Sequence, residues 1–307
     1  MFHDVIEKPV EVVYCLSAAA LAMWVLAAAA LAAPVSLQTF VAQPHPAPDA
    51  EISYGAMPAQ GIDVYLPKTK GPYPVVILIH GGCWMKSTAG REQLRLLGSE
   101  LANRGMAVWS IGYRRVDEDG GAYPGIFHDV AKAIDLLPAK AANYNLDTSR
   151  VVAVGHSAGA HLALWAASRG QLPRASPVYV PDPFRVRTVI GLGGLGDIQR
   201  ATEVPAVCGP TIIPALIGQP SAARPDVYSD TSPSKMLPNG SRIVMITGAD
   251  DQVTPPVYAQ TYVDEVKAAG GTAELVIVPD AAHFDVVTAS TPAWRLVSER
   301  IVAALKE

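Results

Sequence analysis

The residue types that perform acyl transfer recur in this sequence at the ends of apolar runs. Val151-Val-Ala-Val-Gly155-His156-Ser157-Ala158-Gly159 is a strand pattern that passes through G-x-S-x-G into a helix-forming stretch. A serine at such a turn projects its hydroxyl from the sheet edge, and the flanking glycines remove the Cβ atoms that would block the backbone. The helix N-terminus behind the oxygen favours developing negative charge. The five-residue motif alone arises by chance; the strand before it and the helix after it mark Ser157 as a nucleophile.

A serine nucleophile needs a base. Of seven histidines, His3 lies in an N-terminal leader and His45 in a Pro-rich stretch. His156 adjoins the serine on a turn that aims the two side chains apart. His161 falls one helical turn further on, and His128 early in a crossover helix. His80 opens a glycine loop. His283 remains, in Pro279-Asp-Ala-Ala-His283-Phe284 directly after an apolar run. A parallel sheet delivers strand C-terminal ends to one edge, so His283 can meet Ser157 there. A carboxylate must then fix the imidazole tautomer. Asp250 and Asp251, in Gly248-Ala-Asp-Asp-Gln-Val-Thr-Pro255, both follow a strand pattern and either could serve. Asp280 and Asp285 flank His283 but are too near in sequence to orient its ring. The run 75–79 leads into His80-Gly81-Gly82-Cys83-Trp84. The backbone amides of Gly82 or Cys83, with that of Ala158, are the expected oxyanion donors. His80 and Gly81 are expected to brace this loop. Trp84 is expected to border the acyl pocket or to be core, and His156 to support the site.

These loops need a scaffold. Residues 52–56 and 62–66 read as a hairpin. Runs 75–79, 106–111, 151–154, 186–192, 242–247 and 273–278 are β-branched and continuous, as in strands buried on both faces. Helical patterns fill 90–103, 127–142, 158–169, 257–269 and 293–305. This alternation predicts an α/β chain with a mostly parallel, doubly wound sheet of about eight strands and helices on both faces. The Pro- and Gly-rich stretch 205–225 interrupts it, either as a small cap over the site or as a surface excursion.

The 307 residues are half hydrophobic with a net charge of −4, and no basic run argues for a nucleic-acid partner. Residues 12–33 carry no charge and end in Ala-Leu-Ala-Ala, with Pro34 next. They predict an export signal or an N-terminal membrane anchor over 1–33, although the preceding residues are acidic. Residues 34–49 then read as an extended linker, and 50–307 as the folded domain. The three cysteines exclude a disulfide framework and a zinc site. Cys83 and Cys208 are either free thiols or, in an exported domain, one bridge.

Taken together, the His80-Gly-Gly-Cys-Trp84 loop, Gly155-His-Ser-Ala-Gly159, Gly248-Ala-Asp-Asp251…Pro255 and Ala282-His-Phe284 resemble bacterial α/β-hydrolases with an HGGxW loop. These are similar to carboxylesterases and to kynurenine-formamidase-like enzymes. Tyr113-Arg-Arg115 and Tyr123-Pro-Gly125 add to the likeness, which runs from about residue 52 to 305. The family's acid lies three residues after the glycine, which selects Asp251. The resemblance implies a cofactor-free serine hydrolase acting on a small ester, with an arylformamidase, amidase or exopeptidase as the alternative within the fold. A binding protein that has lost catalysis is the alternative outside it.

Overall fold

Tyr73–Ile79 (β3) shows how the sequence builds the centre of the molecule. Val75, Ile77 and Ile79 alternate with Val76 and Leu78, and each set enters a different apolar core. The first core also holds Trp109, Phe127 and Trp165; the second holds Leu97, Trp294 and Val297. A strand apolar on both faces must be covered on both faces, which forces helices above and below the sheet. Each fully buried Val, Ile or Leu stabilises this arrangement by about 1.5–3 kcal/mol.

The computed structural model describes residues 33–306, apart from 89 and 203–207. The expectation for 1–33 falls, Ala33 aside, outside the described residues. The other strands are Ala50–Ser53 (β1), Gly61–Tyr65 (β2), Ala107–Ile111 (β4), Leu146–His156 (β5), Thr188–Leu192 (β6), Arg242–Gly248 (β7) and Thr272–Val278 (β8). They form one eight-stranded sheet in the order β1-β2-β4-β3-β5-β6-β7-β8. β1 and β2 are antiparallel and the remainder parallel. This is the α/β-hydrolase fold.

The helices are Leu37–Val41 (α1), Arg95–Asn103 (α2), Gly125–Tyr144 (α3), Ala158–Ser168 (α4), Ile198–Ala201 (α5), Ile212–Ile217 (α6), Pro256–Ala268 (α7) and Pro292–Ala304 (α8). Every residue of α4 is buried. Its alanines and leucines meet apolar neighbours all round, which suits a helix at the heart of a domain. α8 begins where Thr291 accepts the Trp294 amide and Pro292 occupies the first turn.

Two segments depart from expectation. Residues 34–49 are not simply an extended linker. Ser36 caps α1 by accepting the Thr39 amide, and Phe40 is buried. Further on, Tyr65 Oη donates to the Pro46 carbonyl and the Asp49 amide to Val64. Burial of one aromatic ring and backbone pairing at the sheet edge outweigh the loss of chain freedom. Residues 208–217, within the predicted excursion, pack over the sheet's C-terminal edge as the wall of a cavity. Arg224 anchors the end of this excursion: its Nε and Nη2 donate to Asp230 Oδ1 at 2.8 and 2.6 Å. Asp230 Oδ2 also accepts from Tyr123 Oη at 2.8 Å.

Candidate active site

Ser157 stands between β5 and α4 with φ 54° and ψ −120°, outside the regions that L-residues favour. The close approach that creates this turn explains Gly159: a Cβ there would lie 2.1 Å from the Ile79 carbonyl oxygen. The Ser157 amide donates to the Leu192 carbonyl at 2.8 Å, which ties the turn to β6.

His283 is buried on the loop after β8, and its Nδ1 donates to Asp251 Oδ2 at 2.8 Å. That bond puts the ring's proton on Nδ1 and leaves Nε2 as the basic atom. Asp251 is 1% exposed, whereas Asp250 is exposed, so the structure separates the two candidates. Asp251 Oδ1 accepts the Val253 and Thr254 amides, each at 2.8 Å. Burial alone would raise the Asp251 pKa. The bond and charge of His283 and the bonds from Thr254 outweigh it and hold the carboxyl below its usual range. Ser157 and His283 line the same cavity.

The glycine loop runs beside the serine. A Cβ on Gly81 would lie 3.1 Å from Ser157 Cβ, and Gly81, Gly82 and Cys83 share the cavity wall with Ser157. Gly82, Cys83 and Trp84 all have positive φ, which turns the loop sharply. His80 Nδ1 donates to the Gly81 carbonyl at 2.8 Å, and its ring stacks on Tyr113 at 4.2 Å. Tyr113 Oη donates back to the His80 carbonyl at 2.7 Å. Ala158 opens α4 on the other side of Ser157 and lines, with Trp84, a cavity that His283 does not reach. Cys83 and Cys208 are bridged, with Cα atoms 5.3 Å apart, so the glycine loop is joined covalently to the cap segment. Trp84 is both core and cavity wall, edge-on to His161.

His156 does more than its sequence neighbourhood suggests. Its Nε2 donates to the His283 carbonyl at 3.0 Å, and the two rings are 4.6 Å apart. Burial first, then the adjacent His283, lowers its pKa to about 3, so it is a neutral brace. His161 is also neutral, held by Thr231 at 2.8 Å and shifted to about 4 by burial. His128 and His45 are exposed and stand apart from this cluster.

Four contributors escape sequence reasoning. Thr254 Oγ1 lies 2.8 Å from the Gly193 carbonyl, 3.0 Å from Asp251 Oδ2 and 3.3 Å from His283 Nδ1. Gly193 has φ 48°, and a Cβ there would come within 3.0 Å of Asp251 Oδ2 and 3.1 Å of His283 Nδ1. Asp285, set aside as an acid, braces the histidine loop by accepting the Ala282 amide at 3.0 Å. Phe40 stacks on Phe284 with centroids 5.4 Å apart. The spacing D-x-x-T from 251 to 254 was the one available signal among these.

Two apolar cavities meet at Ser157. One, of about 240 Å³, is walled by Trp84, Leu195, Cys208, Ile213 and Tyr258. The other, of about 280 Å³, is walled by Leu37, Phe40, His156, His283 and Phe284. Among the described residues no cluster of His, Cys, Asp or Glu could hold a metal ion, and no helix is long and apolar enough to cross a membrane.

Comparison with known proteins agrees with this fold. The BD-FAE family profile matches residues 62–265. A probable isoprenylcysteine alpha-carbonyl methylesterase of Oryza sativa subsp. japonica is 27% identical over 244 residues, 76% of this chain and 58% of the relative. The probable carboxylic ester hydrolase LipM of Mycobacterium tuberculosis is 29% identical over 229 residues, 71% of this chain and 52% of the relative. The chain thus spans little more than half the length of these relatives. Among solved structures, the bifunctional GH43-CE of Bacteroides eggerthii superposes with a TM-score of 0.68 at 25% identity, covering 82% of this chain and 37% of that one.

Proposed function

The chain belongs to the BD-FAE family, and on that premise we propose that it hydrolyses carboxylic esters, with Ser157 as nucleophile, His283 as base and Asp251 as the acid that orients the base. One observation carries the reading: a buried carboxylate bonded at 2.8 Å to the Nδ1 of a histidine that shares a cavity with a serine held at positive φ. The ester hydrolases among its relatives support it.

His283 Nε2 takes the Ser157 proton as Oγ attacks the substrate carbonyl. The oxyanion forms against the amides of Ala158 and of Gly82 or Cys83, each donor being worth roughly 3–4 kcal/mol. The carbon–oxygen bond breaks and His283 hands its proton to the departing alcohol. Water then attacks the acyl-enzyme, His283 takes its proton, and Ser157 leaves protonated with the free acid. Among the described residues lining the two cavities there is no carboxylate.

A fluorophosphonate probe should label Ser157, and Ser157→Ala should abolish both labelling and p-nitrophenyl acetate hydrolysis. Folded, unlabelled wild-type protein would instead support a non-catalytic binding role. Turnover of N-formylkynurenine or an aminoacyl anilide, with esters untouched, would move the reading to a formamidase or amidase. The Cys83–Cys208 bridge supports export to an oxidising compartment, as does the apolar leader.

A further inference from the structure

Part of the wall of the second cavity comes from outside the segment that the family profile matches. That match begins at residue 62, whereas α1 spans Leu37–Val41. Leu37 and Phe40 of α1 face the same cavity as Ser157 and His283. α1 is held there on several sides. Phe40 lies on Phe284 with an interplanar angle of 21°, and 6.1 Å from the His156 ring. The Val35 amide donates to Asp285 Oδ2 at 3.3 Å, the same oxygen that accepts the Ala282 amide of the histidine loop.

The chemistry of ester cleavage says which part of a substrate this cavity takes. The base that takes the serine proton must return it to the leaving oxygen, so the leaving group departs along the side that His283 lines. His283 lines the second cavity and not the first. The first cavity, walled by Trp84, Ile213 and the bridged Cys208, is then left for the acyl group. Apart from Ser157 and the imidazoles of His80, His156 and His283, the described wall of the second cavity is mostly apolar, with Thr88 and Gln93 as further neutral polar members and no carboxylate, ammonium or guanidinium.

We propose that α1 is a specificity element of this chain, and that Leu37 and Phe40 select esters whose alcohol portion is neutral, apolar and large enough to reach them, such as a benzyl or other ring-bearing alcohol. The inference rests on the ester-hydrolase reading above and adds to it the leaving-group class and the segment that sets it.

The test uses the full chain and butyrate esters that differ only in the alcohol, methyl against benzyl, followed by acid release. Leu37 is 40% exposed, so its replacement leaves the core intact. Leu37→Ser should lower the benzyl-to-methyl ratio of kcat/KM by about fivefold or more, as losing an apolar contact to a substrate does. Leu37→Trp, which narrows the cavity, should shift the same ratio while the preference between methyl acetate and methyl hexanoate holds. A ratio within about twofold of wild type in both variants would overturn the proposal and leave the hydrolase reading standing. A change confined to the acyl series would overturn the assignment of sides. No ester turnover by wild type, with no labelling at Ser157, would sink both readings together.

Discussion

On one side of Ser157 the cavity wall is closed by a covalent bond, Cys83 to Cys208; on the other it is closed by stacked rings, Phe40 on Phe284. The first wall joins the glycine loop to a cap segment 125 residues away, and among its described residues the one titratable ring is that of Tyr258. The second carries three imidazoles, those of His80, His156 and His283. The contrast matches the task proposed for each side. A wall that only receives an acyl group can be rigid and inert. A wall that contains the proton carrier must hold a histidine loop in place while leaving its ring able to accept and donate. Hydrogen bonds and aromatic contacts to neutral neighbours hold the loop, while the ring itself is bonded to the Asp251 carboxylate.

The comparison can be tested from its centre outward. Asp251→Asn should lower kcat by about 10⁴-fold with little change in KM, because the amide offers His283 the wrong tautomer. A loss of less than about tenfold would mean that Asp251 is not the orienting acid. On the covalent side, the double variant Cys83→Ser/Cys208→Ser should lose about 4 kcal/mol of stability, since the bridge closes a long loop in the unfolded chain. A urea midpoint that is the same with and without reductant would show that the bridge adds nothing.

The histidine side should be sensitive to acid. Burial holds His80 and His156 at about 3 and, behind Trp84 on the other side, His161 at about 4, all below the ordinary 6.5. Between those values the unfolded chain binds protons that the folded chain refuses, so stability falls as pH drops below 6.5. The expected loss is about 2 kcal/mol per histidine by pH 5. Denaturation at pH 7 and pH 5 measures it, and His156→Gln should remove part of the difference. A midpoint independent of pH would contradict neutral burial. The smallest effect is expected at Thr254, which the two sides share through Asp251. Thr254→Val leaves the Gly193 carbonyl without that hydroxyl and should cost about 1 kcal/mol, with a drop in kcat of about tenfold. Equal losses in KM and kcat would reassign Thr254 to substrate binding.

The positions of Ser157, His283 and Asp251 were legible because each lies at the end of a strand whose apolar pattern is local. The glycine loop beside Ser157 was legible for the same reason. Even here local reading had a limit: spacing left Asp250 and Asp251 equal, and burial separated them. The Thr254–Gly193 contact spans 61 residues and the Val35–Asp285 contact 250, and neither leaves a periodic trace in the chain. Residues 34–49 misled because prolines predict extended backbone, while one phenylalanine with an apolar surface waiting for it decides where that backbone settles.

The sequence by itself determined the order of strands and helices and which loops could carry an acyl-transfer site, because hydrophobic periodicity and glycine turns are written residue by residue. Tertiary structure alone decided which aspartate is buried, that Cys83 meets Cys208, and that α1 walls the cavity beside His283. Those outcomes depend on which surfaces meet when the sheet closes, and a contact between distant segments is fixed by the packing of everything between them.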